Sequence, residues 1–366
     1  DFDISGLEGI SDAEYDALEP TRWPVNATRR GGRFFADGGF LHADGKARMV
    51  PVAHRPPAQA LSDRYPLRLN TGRVRDHWHT MTRTGRSARL SRHLAEPYAE
   101  IPPSDARTFE IEPASLVEIE SPYGTVVVRA LITDRSPQGS IFVPMHWTAQ
   151  WSSKGRVDAA IGPEVDPISG QPESKAQPVA IRPFRAAWHG FALSRREIAP
   201  ATAYWAKAAT SFGQQAEIAD PAEPPDWTAF AQELFACTDA APIVVIDPAA
   251  RTARVALMVE GRLEAVLFAA PGPVEVARAH LLAHFTEETP QRVLAGRPGR
   301  DRPDPGATVC GCFEVGVNTI LAAITDQGLS NVDQIGAALQ AGTNCGSCRP
   351  ELARLLAMAR PRVAAE

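Results

Sequence analysis

The chain has 366 residues, enough for two to four domains. Its 44% hydrophobic and 22% charged residues are ordinary for a globular protein, and a formal net charge of −5 argues against nucleic acid or an anionic membrane as partner. No apolar run approaches the roughly 20 residues that span a bilayer. Five cysteines, four of them in two short clusters, are too few for a disulfide framework and suggest metal binding in a reducing compartment. The N-terminus is acidic, shows no signal-peptide pattern and does not begin with Met, as expected of a processed chain or a piece of a longer one.

Prolines number 32, and three proline-rich runs divide the chain: AHRPPAQA at 53–60, DPAEPPDW at 220–227 and GRPGRDRPDPG at 296–306. Residues 1–60 are turn-rich and show too little periodicity to close a core alone. Within them Phe34 to Phe40 predicts two short strands around a turn, and Asp44-Gly45-Lys46 a further turn. Residues 61–185 are β-rich. Strands are predicted at Tyr65 to Asn70, Leu116 to Glu120, Thr125 to Thr133 and Ser140 to Val143, the second and third as a hairpin, with a short helix at Pro103 to Phe109. Many short strands suggest a small closed barrel.

Residues 186–300 read as an α+β connecting domain. Ile198 to Gln215 and Trp227 to Cys237 predict helices. Ile243 to Asp247 and Arg254 to Phe268 predict strands, with a hairpin at Glu260-Gly261, and Pro273 to Phe285 predicts a helix. His280 and His284 stand at i, i+4, a metal-ligand spacing with no third ligand nearby, so they read as a surface or packed pair. Cys237 reads as a buried apolar residue. Residues 305–366 are helical: Val315 to Thr325, then Asn331 to Ala341 behind an N-cap at Ser330 and ending at Gly342, then a helix from about Pro350.

Two motifs carry chemistry. The first is Cys310-x-Cys312, followed after 32 residues by Cys345-x2-Cys348. Four thiolates from two loops can hold a [2Fe-2S] cluster or a tetrahedral zinc. Gly311 and Gly346 allow close backbone approach, and helix starts predicted at about Glu314 and Pro350 would turn free N–H groups toward the sulfurs. The second is Thr71 to Thr84, TGRVRDHWHTMTRT. Its arginines, histidines, tryptophan and tight Gly turn suit a phosphate-bearing heterocycle, although a merely polar loop has the same composition.

The helical segment, with CxC near its start and GTNCGSC near its end, resembles the bacterioferritin-associated ferredoxin type of [2Fe-2S] domain over residues 308–358. Asn70 to Thr82, Phe142-Val143-Pro144-Met145-His146-Trp147 and Asp166 to Lys175 resemble successive motifs of the C-terminal dinucleotide-binding domain of molybdopterin oxidoreductases, in particular the bacterial assimilatory nitrate reductase branch. Trp23-Pro24-Val25, Phe34 to Phe40 and Asp44 to Arg48 resemble the region just upstream in those enzymes, so residues 1–60 would be the edge of upstream catalytic domains. The resemblance implies a multidomain architecture, with a double-psi β-barrel at 61–185.

It further implies that Thr71, Gly72, Arg73, Val74, Arg75, Asp76, His77, Trp78, His79, Thr80 and Lys175 contact a molybdenum-bis(molybdopterin guanine dinucleotide). Met145 would lie near the substrate funnel. Cys310, Cys312, Cys345 and Cys348 would bind the [2Fe-2S] cluster. Asp158 stands where the family usually has asparagine, and Gly170 where lysine is common. A carboxylate at 158 cannot donate as an amide does and would repel a phosphate. No cysteine precedes Cys237 to ligate molybdenum or a [4Fe-4S] cluster. The resemblance places those ligands upstream, so the chain alone is expected to be inactive.

The activity implied for the whole enzyme is cytoplasmic reduction of nitrate to nitrite. Electrons would come from a flavin reductase subunit, a ferredoxin or a flavodoxin. Another molybdopterin enzyme such as a formate dehydrogenase, and a non-catalytic electron-transfer or interaction module, are the alternative readings.

Overall fold

The computed structural model describes residues 3–51, 53–299 and 302–359. The chain divides into two compact units, Asp1–Pro56 and Pro57–Glu366. The first carries a 3-10 turn at Ser5–Leu7 and the short helix α1 (Asp12–Asp16), which opens on a capping box between Ser11 and Glu14. Val25 is 2% exposed; its N–H donates to the Asp3 carbonyl and its carbonyl accepts from Gly6, both at 2.8 Å. Residues 34–40 form a turn rather than the expected strands. Phe35 takes a positive φ of 61°, which breaks extension, and its ring stacks on Phe40 with centroids 4.9 Å apart.

The second unit begins with a six-stranded closed barrel. Its strands are β1 (Leu67–Gly72), β2 (Tyr98–Ile101), β3 (Leu116–Glu120), β4 (Thr125–Ile132), β5 (Ser140–Pro144) and β6 (Gln177–Pro183), in the order β1-β5-β2-β4-β3-β6. Pairing is mixed: β1 with β5 and β2 with β4 are parallel, the other pairs antiparallel. The core is aliphatic, with Leu69, Ile101, Val117, Ile119, Val128, Ile141, Val143 and Val179 all fully buried. Two short helices, α2 (Ala88–Ser91) and α3 (Pro103–Thr108), flank β2 in sequence.

Next comes a six-stranded antiparallel sheet. It comprises β7 (Trp188–Ser194), β8 (Tyr204–Ala209), β9 (Gln214–Asp220), β10 (Ala241–Asp247), β11 (Thr252–Val259) and β12 (Arg262–Ala270), in the order β10-β11-β12-β7-β9-β8. One face, with Trp188, Ile218, Val255 and Leu267, packs against Leu234 and Phe235 at the end of α4 (Trp227–Leu234). The other, with Phe191, Val266 and Phe268, packs against α5 (Arg278–His284) and α6 (Pro290–Ala295). The helix expected over Ile198 to Gln215 is instead the β8–β9 hairpin. Burial along β8 alternates strictly, Tyr204, Ala206 and Ala208 inward, which is a strand's period of two. The helix expected from Pro273 begins only at Arg278.

Barrel and sheet meet through Leu116, Val127, Tyr204, Ala206 and Ala219. Beside this apolar seam, Arg129 of β4 grips Glu96 at 2.9 and 3.0 Å and lies 3.6 Å from Glu217 of β9. Glu217 is held by Arg278 at 2.6 and 3.2 Å, and the Tyr204 hydroxyl donates to Glu96 at 2.8 Å. At the far edge, β10 leaves Val244, Val245 and Ile246 exposed, Val245 by 54%.

The last part is β13 (Thr308–Cys310) and β14 (Val315–Gly316), then α7 (Val317–Gln327), α8 (Val332–Leu339) and α9 (Arg349–Ala359), with their own core of Val309, Ile320, Ile335, Leu352 and Leu356. The cap of α8 is Asn331, whose side chain accepts from Gln334 N–H at 2.9 Å; Ser330 instead donates to the Gln334 side chain. That helix ends on Gln340, with φ 60°, two residues before the glycine expected to stop it. Among the described residues no helix is long and apolar enough to cross a membrane.

Candidate cofactor sites

The barrel's topology explains why three motifs separated in sequence belong together. Because β1 and β5 are parallel, with Thr71 beside Val143 and Gly72 beside Pro144, the loops that follow them leave the same end of the barrel. Because β6 is antiparallel to β1, its approach from Ser174 and Lys175 reaches that same end. The contacts follow. Met145 N–H donates to the Gly72 carbonyl at 2.9 Å, the Thr71 hydroxyl donates to Ser174 O at 2.8 Å, and the Lys175 ammonium donates to Thr71 O. A Cβ on Gly72 would stand 2.8 Å from the Phe142 ring and 3.9 Å from Lys175 Nζ, so glycine keeps this cradle open.

His146 holds the two loops in register. It is fully buried. Its Nε2 accepts from Val74 N–H and its Nδ1 contacts the His79 carbonyl, each at 2.9 Å. Since a carbonyl only accepts and an amide only donates, the ring is the neutral Nδ1–H tautomer. Burial pushes its pKa below the usual histidine value, consistent with that form. His77 is also buried, with Nε2 3.0 Å from Leu94 O, and burial lowers its pKa too. Beneath the loop, Met81, Trp147 and Trp151 pack with Leu94. Gly85 meets Trp151 so closely that a Cβ there would lie 2.6 Å from the indole.

The expected residues therefore separate by role. Thr71, Gly72, Met145 and Lys175 converge at the open end. Arg73, Trp78 (60% exposed) and Thr80 face outward, and His79 lies edge-on to Trp78 with centroids 4.7 Å apart. Val74 and His77 are spent on the loop's own shape. Arg75 and Asp76 are turned to other partners: Asp76 lies 3.2 Å from His93 and 3.5 Å from Arg75, and Arg75 reaches the cysteine segment. Asp158 stands on a short 3-10 turn, 71% exposed and paired with Arg156 at 3.3 Å. Gly170 closes an exposed turn at φ 70°, where lysine would be strained.

The four clustered thiols lie as two pairs. Cys312 and Cys345 are 3.4 Å apart at their sulfurs. Cys310 and Cys348, both buried, are neighbours in the core of the helical segment. Burial, then the neighbouring Cys310, pushes the Cys348 thiol up to about 11. The Ser347 side chain, 3.0 Å from its sulfur, draws exposed Cys345 down. Four thiols contributed two from each cysteine segment are the donor set that a cluster of two irons takes, two protein ligands to each iron. Cys348 directly precedes α9, as expected. Cys310 and Cys312 instead occupy the β13–β14 hairpin, and α7 starts only at Val317. Among the described residues no set of three or more His, Cys, Asp and Glu side chains gathers around a single metal position. His280 is buried against His284, whose Nδ1 lies 3.4 Å from Glu287. Cys237 is buried just beyond α4, its Sγ on Phe235 O.

Residues that local sequence could not reveal join the two sites. Arg75 of the loop after β1, Arg89 of α2 and Arg92 at the end of that helix make polar contacts to the first cysteine loop. Their partners stand more than two hundred positions away, so spacing carried no signal.

The geometry thus sets a closed six-stranded barrel with an open, polar end alongside a helical segment that carries four clustered thiols. Residues 67–178 match the molydopterin dinucleotide binding domain, and residues 308–358 the BFD-like [2Fe-2S] binding domain. The chain is 36% identical to the nitrate reductase of Klebsiella oxytoca over 97% of its own length, which is 41% of that relative. It is 34% identical to the assimilatory nitrate reductase catalytic subunit of Bacillus subtilis over 50% of this chain and 25% of that one. Over 36% of its length it is 33% identical to an F420-dependent formate dehydrogenase subunit alpha of Methanocaldococcus jannaschii, covering 20% of it. The chain thus spans less than half the length of these relatives.

Proposed function

We propose that this chain is the C-terminal portion of a cytoplasmic, assimilatory molybdenum nitrate reductase. The observation that carries the reading is the alignment with the Klebsiella oxytoca relative, which takes in barrel, sheet and cysteine segment together. When bound, the molybdenum dinucleotide would supply oxyanion reduction and the [2Fe-2S] cluster one-electron relay. The chain's own residues bind and orient. Arg73 offers a planar fork of donors to a phosphate, and Trp78 an exposed aromatic face to a heterocycle. Lys175 is a fixed cation at the mouth of the barrel, and Met145 borders the same opening. Cys310, Cys312, Cys345 and Cys348 hold the cluster. Asp158, paired with Arg156, sets a carboxylate where the family usually has an amide. Upstream catalytic domains would complete the molybdenum site and carry a [4Fe-4S] cluster. A flavin reductase subunit, ferredoxin or flavodoxin would deliver electrons.

The test is anaerobic purification with assay of iron, zinc and acid-labile sulfide, alongside viologen-linked assays of the chain and of the full-length protein. Two irons and two sulfides per chain, nitrate reduction by the full-length protein and none by this chain are expected. Zinc without sulfide would remove the relay. Formate oxidation without nitrate reduction would move the protein to the formate dehydrogenases.

A further inference from the structure

The loop between β1 and β2 has two faces. Its outward side carries Arg73 and Trp78. Its other side closes on the backbone that presents Cys310 and Cys312. Arg75 Nη2 donates to Val309 O at 2.5 Å. Arg89 donates through Nε to Gly311 O at 3.1 Å and through Nη2 to Cys312 O. Arg92 pairs with Glu314 at 2.5 Å. From α9, Glu351 sits 3.4 Å from Arg75 and 3.9 Å from His93. Three guanidinium groups of the barrel thus meet residues 309–314, and two of them hold the carbonyls of three peptides in the cysteine loop.

We propose that Arg75 and Arg89 are positioning residues that raise the reduction potential of the [2Fe-2S] cluster and fix it against the dinucleotide loop. This rests on the reading of residues 308–358 as a [2Fe-2S] domain. Reduction adds negative charge to a cluster, and net charge and hydrogen bonding around it set its potential. Guanidinium groups keep their charge at all working pH values, so they favour the reduced form permanently. In a trans peptide the N–H points opposite to the C=O. Anchoring the carbonyls of Val309, Gly311 and Cys312 on the arginine side therefore sets the direction of the N–H groups of Cys310, Cys312 and Phe313. Glu351 acts in the opposite sense, because its carboxylate offsets part of the Arg75 charge.

The experiment is an EPR-monitored redox titration of the whole chain, with iron and sulfide counted in every sample. Arg75→Gln and Arg89→Gln are expected to keep the cluster and move its midpoint to a more negative potential. Arg75→Lys, which keeps the charge and loses the fork, is expected to move it less. Glu351→Gln is expected to move it to a more positive potential, and this variant touches neither a cysteine nor a carbonyl of the loop. Intact clusters with unchanged midpoints in the arginine variants would overturn the proposal. So would an unchanged or more negative midpoint in Glu351→Gln, which decides the matter if an arginine variant cannot retain iron. A wild-type chain without acid-labile sulfide would instead refute the [2Fe-2S] reading itself.

Discussion

His189 on β7 is 8% exposed, and its Nδ1 finds no hydrogen-bond partner among the described residues. Burial, helped by the Arg129 charge, brings its pKa down to about 4. The folded state therefore binds this proton less readily than the unfolded one. Its contribution to stability is complete above the ordinary histidine value near 6.5 and is lost as pH falls toward about 4. His189→Phe removes both the orphaned nitrogen and the titration. Urea midpoints measured from pH 7 to pH 4 should fall less steeply in the variant. At pH 7 it should match or exceed the parent, because a buried unpaired polar atom costs about 1–3 kcal/mol. His146 is the instructive opposite, with both nitrogens engaged. Neither role was legible from the residue's own neighbourhood. His146 stood inside a visible motif, yet its work depends on Val74 and His79, which only the parallel pairing of β1 and β5 brings near.

Elements joined by local rules were readable in advance. The run of β3 alternates and its hairpin to β4 turns at Pro122-Tyr123-Gly124, and β11–β12 turns at Glu260-Gly261. β7 shows no alternation because every residue of it is buried, so its period is invisible. The Ala-rich run at 201–209 has helical propensity, but packing against β9 and the barrel overrides it. That packing also yields a test. Burial alone would depress the Arg129 charge, but Glu96, Tyr204 and Glu217 outweigh it and raise its pKa. Arg129→Met would leave half-buried Glu96 without its cation, at a cost of about 1–3 kcal/mol. Adding Glu96→Gln should recover part of that loss. A double-mutant cycle by urea unfolding measures the coupling, and single costs that simply add would exclude it.

Across the molecule, the cysteine segment has a core separate from those of barrel and sheet. It also contains none of the chain's seven tryptophans. Visible cluster absorbance and tryptophan fluorescence therefore report different parts of one chain. In guanidinium the two signals are expected to give distinct midpoints, with absorbance lost first. Superimposed transitions would mean that the arginine contacts fuse the parts into one cooperative unit.

The open margin at β10 bears on handling. Its seven residues run Ala-Pro-Ile-Val-Val-Ile-Asp, with a charge only at the last position. Such an edge is a template onto which another strand can add, and Lys is how natural edges discourage that. Concentrated solutions should therefore scatter light increasingly with time, and Val245→Lys should suppress the growth while leaving the cofactor sites untouched. Equal scattering from both proteins would place the sticky surface elsewhere.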